Sequence, residues 1–315
     1  MTLKIVGAGM AGLLAARMLA HRDPVVYEAQ ASLPNNHSAV LRFRTPLVGE
    51  ILGIPFRKVE VIKATHRYNN PVADALAYSM KTNNHYRTDR SLPKGVETVV
   101  RYIAPPDLIE RMAKGVKIEY GHYFDFKSEP TKVISTIPMP DLVNILGPLK
   151  FDAVFNFMPG HVVRAKVGAC YAHASLYFPD PRIEFYRASI TGDEMIVEMA
   201  GSRPHTWVGD TPSYMNNVAM KAARFLGIDS DDLHHVELNE QKYAKIAPIN
   251  EHARKSVIFH VSSVMNKAFS LGRFATWRPG LLLDDLVKDI RLIDSWIESG
   301  TPGYEMDLHL ATRRV

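Results

Sequence analysis

Three glycines open the chain at a spacing that suits phosphate chemistry: Gly7, Gly9 and Gly12 in "LKIVGAGMAGLLAARML". Gly7 permits a tight turn, Gly9 lets the backbone approach a pyrophosphate, and Gly12 lets a helix pack closely on the strand before it. Met10 and Ala11 stand at the helix start, where unpaired N–H groups and a partial positive charge favour an anion. Glu28 completes the pattern, 16 residues after Gly12 at the end of "VVYE". Its carboxylate can accept both ribose hydroxyls of an adenosine, and it repels a 2′-phosphate, which disfavours NADP. These residues specify a dinucleotide and leave NAD and FAD both open.

The elements that must hold these groups are legible on either side of them. Leu3 to Val6 is a short apolar run, as in a buried parallel strand. Leu13, Leu14, Ala15, Ala16 and Leu19 form helix, and His21, Arg22, Asp23 and Pro24 end it. Val25, Val26 and Tyr27 make the second strand. The unit is strand, helix, strand, with the acid at its end.

At 315 residues the chain can bury one large core or two smaller ones. Apolar residues make up 46% and charged residues 23%, the balance of a soluble globular protein. Lysine and arginine total 38 against 33 acidic residues. That excess suits an ordinary basic surface or an acidic or nucleic-acid partner. Cys170 is the single cysteine, so neither an internal disulfide nor a redox-active cysteine pair can form. A reducing, cytoplasmic compartment fits. No uninterrupted apolar run approaches the roughly 20 residues of a membrane span. The N-terminal apolar stretch, broken by its glycines and Arg17, is unlike a secretory signal.

Further along, residues 131–146 read as a β-rich strand, a Ser-Thr-Ile-Pro turn and a helix. Residues 161–201 read as antiparallel strands with a hairpin at Thr191-Gly192-Asp193, and residues 212–228 as an amphipathic helix. Residues 66–95 mix aromatics, amides and basic groups and are too polar for core; a mobile lid and a solvated loop are the two readings. His234-His235 reads as a polar surface turn without ligand spacing. Near the far end, "GRFATWRPGLLLDDL" puts a Gly-Arg pair before an aromatic loop and a helix starting near Leu282 and Leu283. Leu286, Ile290, Ile293 and Ile297 line that helix, and Asp284 and Asp285 suit its first turn.

On the N-terminal motif, the Ser135-Thr136-Ile137-Pro138 turn and the Gly272-Arg273 segment, the chain resembles flavoproteins of the glutathione-reductase-type FAD fold. The similar branch holds amine oxidases, protoporphyrinogen oxidases and UDP-galactopyranose mutases. The resemblance implies an α/β fold: a Rossmann-like FAD-binding domain with a central parallel sheet, and a mixed or antiparallel substrate-binding domain. The FAD domain would comprise residues 1–65, 100–150 and 262–315, and the substrate domain residues 66–99 and 151–261. It further implies that Gly7, Gly9, Met10, Ala11, Gly12 and Glu28 hold the ADP half of FAD. Ser135 and Thr136 would pass close to the cofactor, and Gly272, Arg273, Leu282 and Leu283 would close over the flavin. After Glu28 the family's usual Gly-Gly-Arg or His-Gly segment is replaced by "NNHSAVLRFRTPLVG", in which Arg42 and Arg44 are candidates for the pyrophosphate. A single glycine fingerprint argues against the inserted NAD domain of the disulfide reductases.

Two residues are candidates for catalysis. Lys245 lies in "KYAKIAPI", which resembles the family strand that runs near the flavin, where a lysine can hold water and promote reaction with oxygen. Period-two alternation puts Tyr243 and Lys245 on one face; an exposed strand lysine is the plain alternative. Trp277 follows the Gly-Arg segment and either walls the flavin or packs the core. The leading expectation is an FAD-dependent oxidase or dehydrogenase acting on a C–N bond of an amine or amino-acid-like substrate. A mutase-like non-oxidative flavoenzyme, an NAD(P)H-dependent flavin hydroxylase and a non-catalytic dinucleotide sensor are the alternatives. A fainter resemblance is to small bacteriophage flavoproteins of thymidine hypermodification. It implies a modified nucleotide in DNA as substrate, met by Arg67, Lys81, Arg87, Arg90 and Lys94, whose cations would neutralise phosphates.

Overall fold

The glycine loop sits where the first strand hands over to the first helix, and the whole architecture is arranged around that point. The computed structural model describes residues 2–33, 41–67, 70–88, 92–126, 132–147, 153–201, 211–264 and 268–300. The strands are β1 (Lys4–Val6), β2 (Val25–Glu28), β3 (Arg42–Phe43), β4 (Arg57–Thr65), β5 (Glu97–Ile103), β6 (Lys117–Tyr120), β7 (Val133–Ser135), β8 (Phe157–Val167), β9 (Ala172–Tyr177), β10 (Arg187–Gly192), β11 (Glu194–Ala200), β12 (Leu233–Ile246) and β13 (Ala268–Ser270). The helices are α1 (Met10–Met18), α2 (Leu47–Leu52), α3 (Pro71–Asn83), α4 (Leu108–Ala113), α5 (Met139–Leu146), α6 (Thr211–Leu226), α7 (Glu251–Val264) and α8 (Leu283–Ser299). Among the described residues no helix is long and apolar enough to cross a membrane.

Two sheets form. The first is parallel throughout, in the order β13-β7-β1-β2-β6. Helices α1 and α8 contribute Leu13, Leu14, Val287, Ile290 and Ile293 to the core around Ile5 of β1. The second sheet is mixed, in the order β12-β8-β11-β10-β9-β4-β5-β3, and its one parallel pair is β4 with β9. This is the α/β architecture that the resemblance implies. Strand β4 lies in the 1–65 segment expected in the cofactor domain, yet it pairs with β9 and β5 in the second sheet.

Alternation gives the second sheet two unlike faces. Val163, Ala165, Ala188 and Val197 pack against Val218, Ala219 and Ala222 of α6. The opposite face carries Arg164, Ser175, Tyr177, Arg187, Ser189 and Glu198. Arg42, on edge strand β3, hydrogen-bonds Ser175 of β9 and Thr191 of β10, although β5 and β4 lie between. Three strand spacings of about 4.8 Å exceed the reach of an arginine. The sheet therefore curls, with the polar face concave.

Residues 66–95 depart from the expectation of a lid or solvated loop. They contain α3, whose Tyr78, Ser79 and Thr82 are buried. Asn70 caps the helix by accepting from Val72 N (3.0 Å) and Ala73 N (3.1 Å), and Pro71 occupies the first helical position. Lys81 donates to the carbonyls of Phe178 (3.0 Å), Asp180 (3.0 Å) and Phe185 (2.7 Å). Its ammonium is spent on docking α3, so it is not the surface phosphate contact expected of it; Arg90 lies outside the described residues. His234 and His235 lie in β12 rather than in a turn, and β12 has an irregular register just after His234.

The Gly-Arg segment is fastened to α8 by a buried ion pair. Arg278 and Asp289 are 3% and 1% exposed and contact each other directly, while Arg278 Nε also donates to Thr276 Oγ1 (2.9 Å). Removing one partner strands the other charge in the core. Asp289→Ala is expected to lower unfolding stability by about 3–5 kcal/mol in urea titration.

Candidate dinucleotide site and the charged face of the second sheet

The glycine loop is too tight for side chains at two of its three glycines. A Cβ on Gly12 would stand 2.0 Å from the carbonyl oxygen of Gly7, and one on Gly7 would stand 2.3 Å from Thr136 Oγ1. A Cβ on Gly9 would meet nothing within 4 Å. Gly9 is the N-cap of α1 and supplies no side-chain cap, and the first turn carries no acid. The N–H groups of Met10 and Ala11 thus belong to a helix start that its own side chains do not neutralise, which suits a phosphate.

Glu28 lies against this loop, 9% exposed. Its Oε2 accepts from Ala8 N (2.7 Å) and its Oε1 from Gln30 N (2.9 Å). Each oxygen keeps a second lone pair, as acceptance from two ribose hydroxyls requires. Tyr120, paired with Glu28 across β2 and β6, was not singled out from sequence. Burial, and then the Glu28 charge, raise its phenol above the usual range.

The central turn and the C-terminal segment converge on the same loop. Thr136 N and Oγ1 both donate to Val6 O, at 2.9 and 2.8 Å, while buried Ser135 accepts at its carbonyl from Leu271 N (2.8 Å). Gly272 has φ +108°, and a Cβ there would lie 3.3 Å from the Cβ of Ala11. Its neighbour Arg273 sits over the ring of Phe274, 5.5 Å from the centroid. The structure thus gathers Gly7, Ala11, Gly12, Thr136 and Gly272 at one place. At the start of α8, Asp284 accepts from Arg44 N (2.9 Å) and Thr45 Oγ1 (3.2 Å), and Asp285 accepts from Leu282 N (2.9 Å). Arg44, Leu282 and Leu283 meet there, with the Arg44 side chain exposed. Asp284, suited by sequence to the helix dipole, is also the clamp on the Arg44 segment.

Arg42 and Trp277 stand elsewhere than their sequence context implies. Arg42, expected at the pyrophosphate, donates to Thr191 Oγ1 (2.8 Å), Ser175 Oγ (2.8 Å), Ala174 O (3.1 Å) and Ile190 O, which binds its guanidinium to the concave face. Burial, then repulsion from Arg187, press that guanidinium down to about 10, so it remains a cation at neutral pH. Trp277 is 0% exposed. Its indole packs on Phe155 and Tyr243, and its Nε1 donates to Ala247 O (2.9 Å). A side chain without exposure in the protein alone cannot wall a cofactor or substrate; Trp277 is core, held at φ +46°.

Lys245 stands elsewhere than alternation suggests. Between Gln241 and Lys245 the register of β12 on β8 slips, so the period of two fails there. Tyr243 goes to the aromatic group of Phe157, Phe274 and Trp277. Lys245 Nζ instead lies 4.5 Å from the ring centroid of Tyr186. The strand is anchored to the Gly-Arg segment through Ala247 and Trp277, which brings half-buried Lys245 to the seam between the two sheets.

Fold and site together define a two-sheet α/β class, with a glycine loop at the end of the parallel sheet and a curled second sheet that carries a charged face. No protein-family model and no curated protein sequence matches the chain. Among solved structures, reduced UDP-galactopyranose mutase is similar at TM-score 0.70 and 12% identity, over 99% of each chain. Glycine oxidase from Bacillus cereus ATCC 14579 gives 0.57 and 14%, over 100% of this chain and 99% of that one. L-proline dehydrogenase from P. horikoshii gives 0.55 and 10%, over 96% and 95%. At these identities the likeness is one of fold, and it runs the length of the chain.

Glu28→Ala is expected to weaken dinucleotide binding by about 1–3 kcal/mol, the range for losing charge-assisted hydrogen bonds to the ribose. Titration calorimetry on cofactor-stripped protein checks it, and an unchanged affinity would remove Glu28 from the site.

Proposed function

We propose that the protein is an FAD-dependent oxidoreductase that oxidises a C–N bond of an amine or amino-acid-like substrate. The observation that carries this reading is the close approach of Gly272 to Ala11, where an added Cβ would lie 3.3 Å from the Ala11 Cβ: the C-terminal Gly-Arg segment is seated on the start of α1. That contact suits a cofactor long enough to run from Glu28 past the Gly-Arg segment to the seam. Two of the similar structures are, by name, an oxidase of glycine and a dehydrogenase of proline. FAD, held there, would supply a two-electron acceptor for oxidation of the carbon next to the amine nitrogen to the imine level, with oxygen as the final acceptor.

The chain's own groups do the rest. The N–H groups of Met10 and Ala11 and the Arg44 guanidinium bind and neutralise the pyrophosphate. Glu28 accepts from the ribose. Half-buried Tyr177 and the cations of the concave face orient the substrate. Lys245 is the catalytic residue, and its ammonium stabilises the negative charge that develops as oxygen is reduced, an effect far stronger in a dry site than in water. A mutase-type reaction without net oxidation is the second reading, favoured by the likeness to UDP-galactopyranose mutase.

Anaerobic absorbance tests the first reading against the second. Free amines, amino acids and DNA carrying amine-modified thymines are each mixed with the purified protein. Bleaching by one of them is expected, and bleaching only by the DNA would identify the nucleic-acid substrate. No bleaching by any of them would count against C–N oxidation. Lys245→Met is expected to slow reoxidation by oxygen about tenfold or more while leaving reduction by substrate less affected, as stopped-flow of the two half-reactions will read. Unchanged half-reactions would remove Lys245 from the site.

A further inference from the structure

Lys245 does not stand alone on the concave face. Beside it is Glu198 of β11, 7% exposed, a carboxylate almost wholly withdrawn from water. One of its oxygens accepts from Tyr186 OH (3.0 Å) and the other from Arg187 Nε. The Lys245 ammonium rests over the Tyr186 ring, and its charge acts on Glu198. Arg42, Lys63, Arg101 and Arg187 act on one another across the same face. Two of the cations there, Arg187 and Lys245, bear directly on Glu198.

We propose that Glu198 is the positioning residue for Lys245: it lets two cations, Arg187 and Lys245, share a small volume and holds the ammonium against Tyr186 at the seam. Burial pushes the Glu198 carboxyl up, and Arg187 followed by Lys245 more than offset this, leaving it below the usual carboxylate range. Buried charge is tolerated when paired and hydrogen-bonded. Without the carboxylate, Arg187 would repel the ammonium, and the Tyr186 hydroxyl would lose its acceptor. Glu198 is buried beneath Tyr186 and Arg187, so it acts through Lys245 and not on the substrate. The consequence for turnover rests on the catalytic role proposed for Lys245; the positioning itself does not.

The charged and titratable groups around the pair are Arg187 on β10 and Tyr186 just before it, Tyr177 on β9, Tyr78 on α3 and Arg42 on β3. Loss of the Glu198 charge leaves the cations unopposed, so the Lys245 amine should shed its proton at lower pH. The test is competitive acetylation of the purified full chain over a pH series, read by mass spectrometry at Lys245. In Glu198→Gln the midpoint is expected to fall by about one pH unit, roughly a tenfold gain in reactivity on its lower flank. Lys242, whose Nζ pairs with Asp141 (2.8 Å), serves as the internal control and stays unchanged. Glu198→Asp, which keeps the charge, is expected to hold the midpoint nearer the parent, and it carries the test if Glu198→Gln fails to fold, since its Lys245 must then be no more than slightly shifted. An unmoved midpoint in Glu198→Gln, or an equal fall in Glu198→Asp, overturns the proposal. In stopped-flow, Glu198→Gln should slow reoxidation as Lys245→Met does, and the double variant should be no slower. If Lys245 acetylation shifts while Lys245→Met leaves both half-reactions unchanged, the positioning holds and the catalytic role of Lys245 fails.

Discussion

A carbonyl oxygen stands 2.0 Å from where a Cβ of residue 12 would be, and everything at the nucleotide end depends on that approach. It lets α1 start directly above β1, so that Gly9 faces open space and the next N–H groups point outward. Gly7 also lies against Thr136, just after β7, which links the turn at the end of central strand β1 to its neighbour in the parallel sheet. Gly272 then fits against Ala11 from the other side. A larger residue at any of these contacts would pry apart three segments that are distant in sequence and meet only here.

The second sheet solves a different problem. Its convex face is apolar and covered by α6, so its other face is left to carry polar groups. Curling that face inward conceals charge, which is costly unless the charges are satisfied. The structure satisfies them with backbone carbonyls, hydroxyls and carboxylates: Arg42 on β9 and β10, Arg164 on Glu194, Arg187 and Tyr186 on Glu198, Lys81 on the segment joining β9 to β10. Helix α3 packs on part of this face, its Tyr78 meeting Tyr177 and Tyr186.

The nucleotide end was legible in sequence because its physics is local. A strand, a glycine turn, a helix and an acid follow one another within 28 residues, and each residue's role depends on its immediate neighbours. The same holds for α8, whose Leu286, Ile290 and Ile293 mark the buried face. What escaped depends on long-range pairing. Arg42 sits close in sequence to Arg44, yet strand pairing sends its side chain to β10 and leaves that of Arg44 exposed. The slip in β12 separates Tyr243 from Lys245, and no alternation rule foresees a slip set by the partner strand. Trp277 follows a Gly-Arg pair as a flavin-wall residue would, but the aromatic group around Tyr243 claims it. Helix α3 did carry a local signal, Asn70-Pro71 before an alanine-rich turn, which the polar character of its surroundings masked.

The central claim is that the loop formed by Gly7, Gly9, Gly12 and Glu28 holds FAD. The most direct measurement is the identity and amount of dinucleotide released when the purified protein is denatured, read by absorbance and mass spectrometry. The account predicts a yellow protein that releases FAD in stoichiometric amount, and reduced release from Glu28→Ala. A colourless protein that takes up NAD and does not take up added FAD would contradict it.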